Sequence, residues 1–112
     1  MRRGQIWWAA LGQPIGPAPG LRRPVVVVSS DTFNQSEIRT VAIVSITSNL
    51  RLASSPGNVL LTVDDSGVPK ESVANVSQVS AIDKSRLEEH VGYLPVATMN
   101  AIDRGLRLVL AL

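Results

Sequence analysis

The feature that most constrains this chain is the run Val25-Val26-Val27-Val28, entered through Arg23-Pro24 and left through Ser29-Ser30. Consecutive β-branched side chains lose rotamer freedom in a helix and pack well on a pleated surface. With no polar residue among the four, both faces of the strand must be covered. Pro24 to Ser29 is therefore predicted to be an interior strand. Thr40 to Ile46 is a second β-branched stretch of the same character. A chain of 112 residues has room for one core, so residues 1–112 read as a single domain.

The remaining segments fall around those two strands. Gln5 to Leu11, with Trp7 and Trp8, alternates loosely and reads as a first strand. Gly12 to Gly20 is too rich in Gly and Pro for helix or central strand, and reads as a long loop. Asp31 to Glu37 reads as a turn or a short helical excursion, with Asp31 as a candidate N-cap. Thr47-Ser48-Asn49 ends the second strand with side chains that favour turns. Beyond the Ser55-Pro56-Gly57 turn, Asn58 to Val63 is predicted as a strand, followed by a turn at Asp64-Asp65-Ser66-Gly67. Ser72 to Ile82 reads as extended with an interruption near Asn75, Asp83 caps a helical turn through Leu87, and Val91 to Leu94 is a last short strand.

The period then changes. After Pro95, a first-turn proline, Met99, Ile102, Leu106, Val109 and Leu110 share one helical face, with Arg104 and Arg107 set off it. Short strands closed by such a helix predict a mainly β (α+β) fold, a small and partly open β-barrel with a C-terminal amphipathic helix.

Several chemistries are excluded by residue inventory. There is no cysteine, so neither a disulfide framework nor a thiolate metal site can form. The one histidine, His90, cannot supply both acid and base, nor a His-rich metal site. It reads as a surface or hydrogen-bonded side chain. Asp64-Asp65 reads as the solvated part of a turn, not a magnesium site, and Gly12 to Gly20 lacks the lysine of a phosphate-binding loop. No apolar run approaches the ~18 residues of a membrane span, and the apolar N-terminal stretch is too short for a signal peptide. The expectation is a cytoplasmic protein with no membrane partner.

Charge is distributed unevenly. Residues 1–56 carry six arginines against two acids, and the remainder five bases against seven acids, so the first half is basic within a net +2. A basic half suits a polyanionic partner. Within it, Arg23 precedes a proline, which disfavours helix for Arg23 and launches the valine strand. An arginine there, at the mouth of a long loop, can grip a phosphate through two parallel hydrogen bonds. Thr47, Ser48, Asn49 and Arg51 cluster at the end of the neighbouring strand. On the residues alone a second reading stands beside this one, in which Arg23 is an ordinary rim charge and Thr47 to Asn49 an ordinary turn.

At these residues the sequence resembles the MazF/PemK-type toxins of bacterial toxin–antitoxin modules, which are sequence-specific endoribonucleases. The similarity runs through Arg3-Gly4-Gln5-Ile6-Trp7-Trp8, Gly20 to Val28, Ile46-Thr47-Ser48-Asn49-Leu50, Pro56-Gly57-Asn58-Val59, Pro69 to Val76 and Ile82 to Leu87. The resemblance implies an SH3-like barrel, a homodimer, and single-stranded RNA held in a groove along the dimer interface. It implies no cofactor and no metal, and a cognate antitoxin whose flexible tail fills the same groove. It makes Arg23 and Thr47 the catalytic pair. The implied reaction is attack of a 2′-hydroxyl on the adjacent phosphate, leaving a 2′,3′-cyclic phosphate and a 5′-hydroxyl. Ser48, Asn49, Arg51, Lys70, Asn75 and Gln78 are the candidates for contacting RNA, from strand-end position and similarity. The chain departs from the family where many members carry a Ser-Glu pair in the first loop, since here the residues are Gly16-Pro17-Ala18.

Two alternatives from other classes remain. A non-enzymatic gyrase poison on the same fold would need an exposed C-terminal aromatic motif, and this chain ends Leu110-Ala111-Leu112. A plain RNA-binding barrel would bind in a salt-sensitive way without producing new RNA ends.

Overall fold

The structure is a computed structural model that describes residues 1–12 and 21–112, so the Gly- and Pro-rich loop over 13–20 lies outside the described residues. Six strands form one antiparallel sheet: β1 (Gln5–Ala10), β2 (Arg22–Val27), β3 (Thr40–Thr47), β4 (Val59–Leu61), β5 (Ser72–Asp83) and β6 (Leu87–Tyr93). Their spatial order is β4-β5-β3-β2-β1-β6. Short helices α1 (Asp31–Asn34) and α2 (Val63–Ser66) interrupt the meander, and α3 (Val96–Leu110) closes the chain.

The valine run behaves as its composition demands. Val26 and Val28, with Val44 and Ile46 of β3, enter a core shared with Ile6, Leu61, Val76, Met99 and Ile102. Val25 and Val27, with Val41 and Ile43, enter a second cluster on the other face with Ala9, flanked by Trp7, Leu11 and Ile82. Val25, Val26 and Val27 are fully buried, so period-2 alternation supplies both faces from one strand. The sheet curls into a half-barrel, and α2, which follows edge strand β4, packs against the other edge strand, β6. Gly92 of β6 permits this approach, since a Cβ there would lie 2.5 Å from the Ser66 carbonyl oxygen.

Helix α3 lies over the first core by burying Met99 and Ile102. Its face predicted as apolar is buried only in its first half. Val109 and Leu110 stay exposed, with Leu108 and Leu112. Pro95 sits at the N-cap in extended conformation, one position earlier than expected, where its missing N–H costs nothing.

Other departures have local causes. Ser30, not Asp31, is the N-cap of α1, its hydroxyl accepting from the Phe33 N–H at 3.3 Å. That leaves the Asp31 carboxylate to accept the Arg3 N–H at 2.7 Å, which pins the N-terminal segment. The strand expected over Asn58 to Val63 stops at Leu61, since the Thr62 hydroxyl caps the next residues into α2 by accepting from Asp65 N–H. The Asp64–Gly67 turn is consequently a helix end, with Gly67 left-handed at φ 75°. Strand β6 begins at Leu87, four residues before the predicted Val91, because β1 takes it up through two register shifts. Asp83 caps the 3₁₀ turn Lys84–Arg86 as predicted, by accepting from Ser85 N–H at 2.8 Å. Among the described residues no helix is long and apolar enough to cross a membrane.

Candidate functional site

Strands β2 and β3 pair through Val25↔Ser45, Val26↔Val44 and Val27↔Ile43. Pairing ends at Val25↔Ser45, and two residues further along each strand stand Arg23 and Thr47, which line one cavity. Both are held from behind by rigid strand, which is what a catalytic or binding pair requires. Strand β5 flanks β3 on the other side with an irregularity: Val44 pairs with Val79, but Ser45 pairs with Asn75. Residues 76–78 therefore have no counterpart on β3, and the bulge turns Gln78 outward to solvent. Asn58 holds the bulge. Its Oδ1 accepts the Val76 N–H at 2.9 Å, and its Nδ2 donates to the Leu52 carbonyl at 2.9 Å and to Asn75 Oδ1 at 3.3 Å.

Two adjoining cavities open at this end of the sheet, and Arg23 lines both. One, of about 430 Å³, is walled by Ser45, Thr47, Gln78 and Ser80 with Leu11 and Ile82. The other, of about 360 Å³, is walled by Trp8, Pro24, Val68 and Pro69, with Arg22, Lys70 and Ser48 at its polar positions. Both fall at the small end of the ~300–1,000 Å³ range usual for ligand pockets.

Electrostatics separate the two neighbouring arginines. Arg22 Nε donates to Glu88 at 3.0 Å, a terminal nitrogen donates to Glu89 at 3.3 Å, and the guanidinium lies 5.0 Å over the Trp8 ring. Arg23 is exposed and has no carboxylate partner among the described residues. Its charge is free to meet an anion. Thr47 Oγ1 accepts the Asn49 N–H at 3.2 Å, which orients the hydroxyl and leaves its proton available to donate.

The sequence-predicted residues divide clearly. Arg23, Thr47 and Gln78 share the first cavity, and Ser48 and Lys70 join Arg23 in the second. Asn49, Arg51 and Asn75 line neither. Asn49 caps the 3₁₀ turn Leu50–Ser54 through Arg51 N–H, which leaves Arg51 exposed on that turn, and Asn75 is engaged by Asn58 and Ser77. His90 is exposed, 3.0 Å from the Gly92 carbonyl and 5.3 Å from the Trp7 ring, as a surface histidine would be. Asp64 and Asp65 lie in the first turn of α2, and among the described residues no three acidic or imidazole side chains gather. Ser45 and Ser80 are site residues that strand-end reasoning passed over. Their signal was alternation, since Ser45/Thr47 and Gln78/Ser80 are polar pairs two apart within strands.

The chain's relatives carry the same architecture. A family profile described as PemK-like, MazF-like toxin of type II toxin–antitoxin system matches residues 2–110. Endoribonuclease MazF6 of Mycobacterium tuberculosis is 46% identical over 110 residues, covering 98% of this chain and 96% of the relative. Endoribonuclease EndoA of Bacillus subtilis is 30% identical over 112 residues, covering all of this chain and 96% of the relative. Among solved structures, an endoribonuclease from a mycobacterial species in complex with its cognate antitoxin superposes with a TM-score of 0.81 at 25% identity, covering 100% of this chain and 96% of the other. A MazE–MazF structure from Deinococcus radiodurans superposes with a TM-score of 0.83 at 22% identity, covering 100% and 96%, and shares the fold. The half-barrel, its closing helix and a family match over nearly the whole length lead to one conclusion: the chain belongs to the PemK-like, MazF-like toxins of type II toxin–antitoxin systems.

Proposed function

We propose that this chain is an endoribonuclease toxin that cleaves single-stranded RNA without a metal ion, with Arg23 and Thr47 as its catalytic pair. The observation that carries the proposal is the convergence of an unpaired arginine and an oriented threonine hydroxyl on one cavity. Relatives named as endoribonucleases at 46% and 30% identity support the reaction class.

In the proposed reaction a ribose 2′-hydroxyl gives its proton to solvent as its oxygen bonds to the adjacent phosphorus, and the bond to the 5′-oxygen breaks as that oxygen takes up a proton from the Arg23 guanidinium, which solvent restores. The products are a 2′,3′-cyclic phosphate and a 5′-hydroxyl. Attack concentrates negative charge on the non-bridging oxygens, where the Arg23 fork donates two parallel hydrogen bonds and Thr47 a third. A guanidinium is protonated at rest in proteins, so Arg23 acts by stabilising charge and donating that proton, and not as the base that takes the 2′-hydroxyl proton. Unpaired bases can be splayed out and read on their edges, for which Gln78, Ser48 and Lys70 stand at the cavity walls. The chain is further read as a homodimer neutralised by a cognate antitoxin with a flexible tail, a reading supported by the mycobacterial relative solved with its antitoxin.

The test is cleavage of a long defined RNA in EDTA, followed by sequencing of the new 5′ ends. The parent protein should cut at a recurring short sequence and leave 5′-hydroxyls. Arg23→Ala should abolish cleavage while keeping a cooperative thermal melt. Full cleavage by that variant, or dependence of the parent on added divalent ions, sinks the proposal.

A further inference from the structure

The Trp8 cavity carries a second, separate inference, which rests on the reading of this chain as an RNA-cleaving enzyme. We infer that Arg22, whose guanidinium lies over the Trp8 ring, is a stacking platform for a nucleobase of single-stranded RNA, next to the phosphate that Arg23 holds.

Placement follows from register. Trp8 pairs with Pro24 on one side and with Glu89 on the other, while Arg22 pairs with Ala10. Trp8 and Arg22 are thus diagonal neighbours on one face, a spacing that long side chains bridge. Alternation sends Arg22 and Arg23 to opposite faces of β2.

The same alternation assigns them different work. Arg22 is flanked by two carboxylates, at 3.0 and 3.3 Å, that offset its charge and fix the plane of its guanidinium. The guanidinium carbon lies 5.0 Å from the Trp8 ring centroid, so the indole backs the group on one side. An arginine so compensated is a poor grip for phosphate, but its opposite face is an ordered, weakly hydrated planar surface. Such surfaces stack unpaired bases, as aromatic rings do. The Arg22 side chain is 47% exposed, so its outer face is open. Around it the cavity is lined by Pro24, Val68 and Pro69, apolar walls suited to a flat base. Lys70, with no carboxylate partner among the described residues, brings its charge to the same cavity, where the sugar–phosphate chain of that nucleotide would run.

The platform therefore requires the planar guanidinium and not merely a positive charge. Lysine at position 22 keeps the charge and loses the plane, so Arg22→Lys separates stacking from electrostatics.

The experiment uses probes that cannot be cut. Trp7→Phe leaves Trp8 as the single indole of the chain, since there are two tryptophans. Into this protein are titrated 2′-O-methyl nonanucleotides of each of the four bases, and an abasic 2′-O-methyl chain of the same length. At least one base-bearing chain should shift Trp8 fluorescence and bind about tenfold or more tightly than the abasic chain. In Arg22→Lys that base-dependent gain should vanish, while the binding of the abasic chain and its salt slope stay the same. Equal binding of abasic and base-bearing chains by the parent overturns the inference. So does a base-dependent gain that survives Arg22→Lys. Both results are independent of catalysis. A failed Arg23 cleavage test would refute the enzymatic reading, and these titrations would still decide whether the platform exists.

Discussion

Arg23 near the start of β2 and Thr47 at the end of β3 each lie two residues beyond Val25↔Ser45, the pair at which the ladder between their strands ends. Both line one cavity, and the valine strand that carries Arg23 is buried on both faces directly behind it. Side chains placed this way are backed by a strand covered on both faces.

Thr47 should matter through its hydroxyl. Thr47→Val removes a donor aimed at the proposed phosphate site and is expected to lower the single-turnover cleavage rate by about 10²–10³. Thr47→Ser keeps the hydroxyl and its acceptance of the Asn49 N–H, and should stay within about tenfold of the parent. Equal rates for the valine and serine variants would remove Thr47 from the mechanism.

Gly105 should reverse the usual rule for helices. Replacing an exposed helical glycine by alanine normally gains about 1 kcal/mol. Here a Cβ would sit 2.1 Å from the Gly57 carbonyl oxygen, a backbone atom that cannot swing away. Gly105→Ala must therefore lift α3 off the β4 turn, with an expected net loss of about 1–3 kcal/mol in urea denaturation.

Asn58 links stability to the site. Asn58→Ala strands the Val76 N–H and the Leu52 carbonyl beside the β5 bulge, an expected cost of about 1–3 kcal/mol. Gln78 lies at the end of that bulge and lines the Arg23 cavity, so cleavage should fall even at temperatures where the variant is folded. A variant that loses stability but keeps full cleavage would separate the bulge from the site.

Acid should release the N-terminal anchor. The Arg3 backbone N–H donated to the Asp31 carboxylate holds that group below its ordinary value of 3.8, with Asn34, Arg2 and Arg3 side chains acting in the same direction. A carboxyl depressed in the folded state stabilises the fold above its unfolded value, and that contribution disappears as pH falls through the folded value. The stability difference between the parent and Asp31→Asn should accordingly shrink between about pH 5 and pH 2. Unfolding midpoints measured across that range at constant ionic strength provide the check. A difference that stays constant would show that Asp31 titrates normally.

What the sequence determined by itself were those features governed by neighbours along the chain. Four adjacent β-branched residues required a strand covered on both faces, the 3.6 period after Pro95 required an amphipathic helix, and Asp83 could cap only the residues following it. Arg23 and Thr47 stood at the boundaries of strongly patterned strands, but the family resemblance was what singled them out as a candidate pair. What only the tertiary structure decided depends on groups distant in sequence. Ser30 took the cap from Asp31 because Arg3 claimed that carboxylate, and Thr62 ended β4 early in favour of α2, whose Ser66 packs against β6. Asn75 was drawn into bonds with Asn58 and Ser77 and away from the cavity, beside a three-residue bulge that reset the register between β3 and β5. Arg22 and Arg23, identical in type and adjacent in sequence, parted company for that same physical reason. Alternation put them on opposite faces, and only the arrival of β6 supplied two carboxylates to one of them and none to the other.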